Sequence, residues 1–396
     1  MDLRYAERMS HLKASEIREI LKITQNPEVI SFAGGLPAPE LFPVKEIETA
    51  STAVLRRSGE TALQYTTTEG YDPLREWIAD RYNKRYGMHF DKDNVLIVHG
   101  SQQALDLTGK VFIDPGDVIL CESPTYLAAI TAFRAYGADF VGVPTDDDGM
   151  IISELRRIIK DTKRIKAIYV IPNFQNPTGR TWSMERRKEL AEISAENNIV
   201  VIEDDPYGEI RFEGEDIPPV KSFDGPGNVL ITGTFSKILC PGFRIGWIAG
   251  DKDAIRKYVL TKQGADLQCN TFVQMVISEF LGTNDIDHHI RKIKDVYLKR
   301  RDLAVRTMEE NFPADVTFTR PSGGLFAWVT LPERMNSRDL LTKSLEENVA
   351  FVPGGSFFPD GGHENTFRIN FSNMPDERIT EGLERLAGVI RSYRQN

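Results

Sequence analysis

The 396-residue chain is poor in cysteine: only Cys121, Cys240 and Cys269 occur, and they share no metal-ligand or redox spacing. That argues against a disulfide framework and suits reduced thiols in the cytoplasm. No run approaches the ~18 apolar residues that a membrane-spanning helix needs. The opening residues, Met1 to Tyr5, carry no apolar signal segment. Basic charge is in deficit, with 49 lysines and arginines against 58 acids and a net charge of −9. A nucleic-acid binder would show a basic stripe, and there is none. Low-complexity tracts and repeats are missing too, which removes solenoids and linkers. Neither a dinucleotide glycine fingerprint nor a Walker loop is present, so nucleotide cofactors lose weight.

What remains is an ordinary globular composition, 41% hydrophobic and 27% charged, long enough for two or three domains. Near the start, Ile17, Ile20 and Leu21 follow Ser15 at helical spacing. From about Asn94, short apolar runs alternate with helical stretches. Val95–Val98, Val118–Cys121, Ala167–Ile171, Ile199–Ile202 and Val229–Ile231 read as strands covered on both faces. Gln102–Phe112 and Met184–Ala195 read as helices between them. The alternation predicts an α/β domain with a mostly parallel sheet, whose strand C-termini would line one ligand-binding edge. The tail differs. Gly324–Leu331, Val349–Val352 and Thr366–Ser372 read as strands, and Ile379, Leu383, Leu386 and Ile390 form one helical stripe. This predicts a smaller α+β domain from near residue 300, joined through a long charged helix over Asp287–Arg306.

Residues able to do chemistry cluster at predicted strand ends. Lys237 follows the strand at Val229 and is flanked by Thr234 and Ser236, with Arg244 seven residues on. A lysine there can be partly desolvated and act as a Schiff-base amine. Two hydroxyls and a guanidinium can clamp a phosphate. A solvated lysine in a polar turn is the plainer alternative. Asp204 and Tyr207 follow another strand, where a carboxylate can pair with a pyridinium nitrogen and a phenol can reach a ring oxygen. An exposed acidic turn would look the same. Asn176 lies in an Asn-Pro turn after a third strand. Ser101 and Gln102 open a helix whose N–H groups can hold an anion, or Ser101 merely caps it. Arg368 lies opposite Phe367, Ile369 and Phe371, fit to grip a carboxylate or simply to face solvent.

Taken in order, these blocks resemble the fold-type I pyridoxal-5′-phosphate aminotransferases of class I/II. The branch is that of 2-aminoadipate, kynurenine (II) and archaeal aromatic or multiple-substrate aminotransferases. The markers run from about Ser15 to Leu386 and include SFAGGLPAPELFP (31–43), GSQQALDL (100–107), NFQNPTG (173–179), EDDPYGEI (203–210), GTFSKILCPGFRIGW (233–247), KQGADL (262–267) and FRINFS (367–372). The resemblance implies a three-layer αβα cofactor domain over 46–299, a small α+β domain over 300–396, and an N-terminal helix and arm over 1–45 that packs with the small domain and over the active site. It implies pyridoxal 5′-phosphate as cofactor, and no metal.

It also implies the following roles. Lys237 forms the Schiff base and moves the proton. Asp204 pairs with the pyridinium, Tyr207 and Asn176 bond the ring oxygen, and Tyr126 stacks on the ring. Ser101, Gln102, Thr234, Ser236 and Arg244 form the phosphate cup, threonine standing at 234 where serine is also common. Tyr65 reaches the partner subunit's cofactor in a homodimer. Arg368, Asn176 and the backbone of Gly35 take the α-carboxylate, and Arg18 is a candidate for a distal acid. The expected reaction moves an amino group from an L-amino acid (2-aminoadipate, glutamate, aromatic or another large one) to a 2-oxo acid such as 2-oxoglutarate. A carbon–sulfur β-lyase on the same fold, or a non-catalytic regulator module, are the alternatives.

Overall fold

A computed structural model of the chain describes residues 3–6, 8–9 and 26–394. Eight strands build the large sheet: β2 (Val95–Val98), β3 (Val118–Ser123), β4 (Asp139–Asp146), β5 (Gly149–Met150), β6 (Ile165–Val170), β7 (Val200–Asp204), β8 (Val229–Thr234) and β9 (Gly246–Ala249), preceded in sequence by β1 (Ile30–Ser31). Their spatial order is β2-β9-β8-β7-β6-β3-β4-β5. The run β4, β3, β6, β7, β8 is parallel, while β9, β2 and β5 pair antiparallel. Strands β2, β8 and β9 are buried along their whole length, which is why β2 and the first half of β8 read as apolar runs. The chain leaves β3 toward β4 and later returns to β6 on the other side of β3. The order therefore reverses at β3, and the crevice beyond the strand C-termini there is the natural ligand site.

The C-terminal region is built on β10 (Thr317–Phe318), β11 (Phe326–Thr330), β12 (Val349–Ala350), β13 (Val352–Pro353) and β14 (Thr366–Asn370). Four of them form an antiparallel sheet ordered β10-β11-β14-β13. The run Val349–Val352, read above as one strand, is two. Its first half pairs with β1, Ile30 against Val349, and its second half with β14. The arm around Ile30 is thus stitched to the C-terminal region by a strand pair. The helix Ile286–Asn311 runs straight through residue 300, so the boundary drawn there falls inside one continuous helix. The last helix, Asp376–Tyr393, buries Ile379, Leu383, Leu386 and Ile390 as its periodicity requires. Strand β14 is buried on both faces instead of one. It is an inner strand, and its polar face turns into the cleft toward the large sheet, not to solvent.

Candidate active site

The turn after β8 carries Lys237. Two rings anchor that turn: Phe235 packs on Trp247 at 5.1 Å and on Trp77 at 6.0 Å. Gly233 is needed there, because a Cβ would stand 2.3 Å from the Trp247 ring. Lys237 is partly buried, and its Nζ donates to the carbonyl of Gly35 at 2.7 Å. Burial, helped by the charges of Arg368 and Arg244, pulls its pKa down to about 8. The amine therefore gives up its proton far closer to neutrality than an ordinary lysine does, as a nucleophile or a base requires.

Asp204 closes β7, and its side chain is buried (2% exposed). It accepts hydrogen bonds from the hydroxyls of Tyr169 at 2.8 Å and Thr232 at 2.7 Å. Burial raises its pKa, and those two bonds oppose the rise by favouring the carboxylate. Tyr207, in the loop after β7, is buried and packs edge-on to Phe326 at 5.9 Å. Burial also holds its phenol protonated, with Tyr126, Asp204 and Arg368 all near enough to act on it. Tyr126, at the entrance of the helix Leu127–Arg134, is half-buried and senses Asp204, Arg368 and Arg244.

An anion cradle lies beside these groups. The helix Gly100–Phe112 starts after His99, whose side chain caps nothing, so the first-turn N–H groups stay available. Gly100 has φ +69, and a Cβ on it would stand 2.6 Å from Nη2 of Arg244. Only glycine lets that guanidinium lie against the helix start. The Ser101 hydroxyl is buried with no partner among the described residues, a donor waiting for an acceptor. Thr234 Oγ lies 2.9 Å from the Ser236 hydroxyl. Arg244 itself is exposed, with a left-handed backbone (φ 54) and, among the described residues, only long contacts to the carbonyls of Pro241 and His99, at 3.3 and 3.5 Å. Gln102 is exposed, whereas Gln103 turns back to accept the His99 N–H at 2.8 Å.

Across the cleft, Arg368 is buried at 2% exposure. Its Nη1 donates to Asn176 Oδ1 at 2.7 Å and its Nη2 to the carbonyl of Ala33 at 2.6 Å, while among the described residues Nε has no partner. The guanidinium lies 4.2 Å from the centre of the Phe326 ring and 5.2 Å from that of Phe357. Burial lowers its pKa to about 10, so it stays cationic at neutral pH. A buried guanidinium with an unpartnered Nε–H and, among the described residues, no carboxylate partner is built to receive one.

The fold thus gathers Lys237, Asp204, Tyr207, Tyr126, Asn176 and Arg368 around one cleft, with Ser101, Thr234, Ser236 and Arg244 as a cradle and Gly35 beside the lysine. Tyr65 stands apart, its side chain 78% exposed. Arg18 and the segment Ser15–Ile23 lie outside the described residues. Sequence reading passed over Tyr169, Thr232, Phe326, Phe357 and Ala33. Each looks like ordinary core or strand material, and only strand register could have drawn attention to Thr232. Among the described residues, one trio has ligand atoms close enough for a metal: His99, Asp266 and Cys269, within 4.8 Å. The ammonium of the fully buried Lys262 already sits 2.6 Å from Asp266 and neutralises that carboxylate.

These residues fit pyridoxal 5′-phosphate. The orphaned Ser101 hydroxyl and open helix start suit its phosphate, Lys237 its aldehyde, and Asp204 its ring nitrogen. The sequence profile of the class I and II aminotransferases matches residues 29–386. An aromatic-amino-acid aminotransferase of Thermococcus litoralis is 46% identical over 98% of this chain and 94% of its own. A 2-aminoadipate transaminase of Thermus thermophilus is 42% identical over 96% of this chain and 94% of its own. A crystal structure of Pyrococcus horikoshii kynurenine aminotransferase, solved in complex with pyridoxamine phosphate, superposes with a TM-score of 0.94. It is 42% identical and covers 98% of this chain and 97% of that one. The chain therefore belongs to the class I and II aminotransferases, enzymes that work with pyridoxal 5′-phosphate.

Proposed function

We propose that the enzyme transfers the amino group of L-amino acids with large side chains, 2-aminoadipate and aromatics foremost, to a 2-oxo acid such as 2-oxoglutarate. The observation that carries this reading is the pairing of Lys237 and Arg368 on one loop. Lys237 reaches the carbonyl of Gly35, and Arg368 that of Ala33, two residues away. An amine base and a carboxylate receptor thus stand side by side, as α-proton removal from an amino acid requires. The Phe326 and Phe357 rings that pack on the Arg368 guanidinium give this receptor an apolar backing, which suits a large side chain. The aromatic and 2-aminoadipate activities of the two relatives favour the same classes.

In this mechanism Arg368 and Asn176 grip the substrate α-carboxylate, the free Nε of Arg368 giving an extra donor. That fixes the Cα–H bond relative to Lys237. Lys237 Nζ, unprotonated in useful amount because of its burial, removes the α-proton and later returns it one atom away. Asp204 would keep a ring nitrogen protonated. Tyr207 and Asn176 would hold the ring oxygen, and Tyr126 would stack on the ring. Ser101, Gln102, Thr234, Ser236 and Arg244 would bind the phosphate. When bound, pyridoxal phosphate supplies the electron sink for the carbanion at Cα. Tyr65, exposed next to the exposed Leu63, reaches a second subunit in a cytoplasmic homodimer. The test is an amino-donor panel with 2-oxoglutarate as acceptor. Turnover highest on 2-aminoadipate and aromatic donors is expected. Pyruvate and ammonia released from cysteine conjugates, with no 2-oxo acid needed, would overturn it.

A further inference from the structure

We propose that Tyr169 and Thr232 form a two-hydroxyl clamp that keeps Asp204 ionised and aimed at the cofactor's ring nitrogen. Both act as positioning residues through Asp204. The inference rests on the reading of Asp204 given above.

Strand register builds the clamp. Asp204 pairs directly with Thr232 on β8, and Ile202, two residues earlier on the same face, pairs with Tyr169 on β6. The three polar groups therefore share one face of three adjacent strands. Tyr169 donates to Oδ2 and Thr232 to Oδ1, so each carboxylate oxygen takes one hydroxyl and keeps lone pairs free. Both side chains are buried, at 1% and 0% exposure. Among the described residues neither hydroxyl has another acceptor. Two donors with nowhere else to point favour a carboxylate over a carboxylic acid, which would need to place a proton of its own. The opposing influences are burial and the neighbouring acid Asp205. The other titratable groups close by are the phenols of Tyr126 and Tyr207, both held neutral by burial. Without the clamp, Asp204 would take up a proton more readily. It would then lose its charge attraction for a pyridinium.

The test measures binding to apoprotein, by tryptophan fluorescence quenching, of pyridoxal 5′-phosphate and of its 1-deaza analogue, which has CH in place of the ring nitrogen. The variants are Tyr169→Phe, Thr232→Val, their combination, and the conservative Thr232→Ser. Far-UV circular dichroism monitors folding. Tyr169→Phe/Thr232→Val is expected to weaken pyridoxal phosphate by about tenfold or more, the loss typical of hydrogen bonds to a charged group. The deaza analogue should bind as before or better, and Thr232→Ser should match wild type. Equal weakening of both ligands, or no weakening of either, would overturn the clamp. If the double variant does not fold, Thr232→Val against Thr232→Ser makes the same comparison with a smaller expected ratio. Asp204→Asn is the reference. If it separates the two ligands and the clamp variants do not, the clamp alone fails. If it does not separate them, the role of Asp204 fails first.

Discussion

Glu203 and Asp204 are consecutive acids on β7, both buried, yet they serve opposite faces of the sheet. Glu203 looks to the rear. Its carboxylate accepts the backbone N–H groups of Val220 at 2.8 Å and Lys221 at 2.9 Å, so it fastens a loop. Nearby, the fully buried Arg187 donates to Asn173 Oδ1 at 2.7 Å and to the carbonyl of Pro172 at 3.0 Å, bracing the segment that leads to Asn176. Asp204 looks to the cleft, where side-chain hydroxyls hold it and, among the described residues, no backbone amide claims it. The contrast offers a rule for reading buried acids. One whose oxygens take backbone N–H groups of a distant loop is scaffolding. One held only by hydroxyls at a strand's C-terminal end is available for chemistry.

Five measurements can break or sharpen that contrast, taken from the largest expected effect down. On the cleft side, Lys237→Ala should abolish turnover, with no base left to move the α-proton, while circular dichroism stays native. Appreciable turnover by that variant would remove the lysine from the mechanism. Arg368→Lys loses the planar fork that bonds two partners at once, so kcat/KM should fall by about 100-fold, with steady-state kinetics across donors as the check. On the rear side, Glu203→Gln should cost about 1–3 kcal/mol of stability in urea unfolding, with kcat per folded molecule unchanged. A kinetic defect at wild-type stability would erase the distinction between the faces.

The pH dependence is smaller and has a definite sign. Burial raises both Glu203 and Glu122 to about 7 from an ordinary 4.5. The folded state therefore binds more protons than the unfolded chain between those values. Their contribution is fully present below pH 4.5 and is lost as pH rises through about 7. Apoprotein melting at pH 5, 6, 7 and 8 reads it out, and Glu122→Gln should flatten the profile. A fifth measurement, smallest in overall rate, concerns substrate choice. Arg18→Ala should lower activity selectively on 2-aminoadipate, and an equal effect on all donors would leave Arg18 without a role in specificity.

Much of the large sheet was legible because its strands are buried on both faces and so read as Val/Ile/Leu runs. The helix Met184–Asn197 was legible from its charge and length, and the last helix from its stripe. Strand β9 escaped, since Gly246–Ala249 is short and opens on glycine. The split of Val349–Val352 escaped because two neighbouring residues can pair with different sheets without any change in hydrophobic pattern. In the site, Lys237 drew attention by following a strand with hydroxyls beside it. Tyr169 and Thr232 did not, being residues that strands favour anyway.

By itself the sequence determined the element types, the strand ends on which reactive side chains sit, and the family through its ordered blocks. These are local properties, carried by hydrophobic period and residue chemistry within a few positions. The meeting of Arg368 with Asn176, 192 residues away, and of Lys237 with Gly35, 202 residues away, was decided only by the tertiary structure. So were the shifted pKa values of Lys237 and Asp204. Burial and through-space charge set those, and both depend on which distant segments close over a side chain and not on its neighbours along the chain.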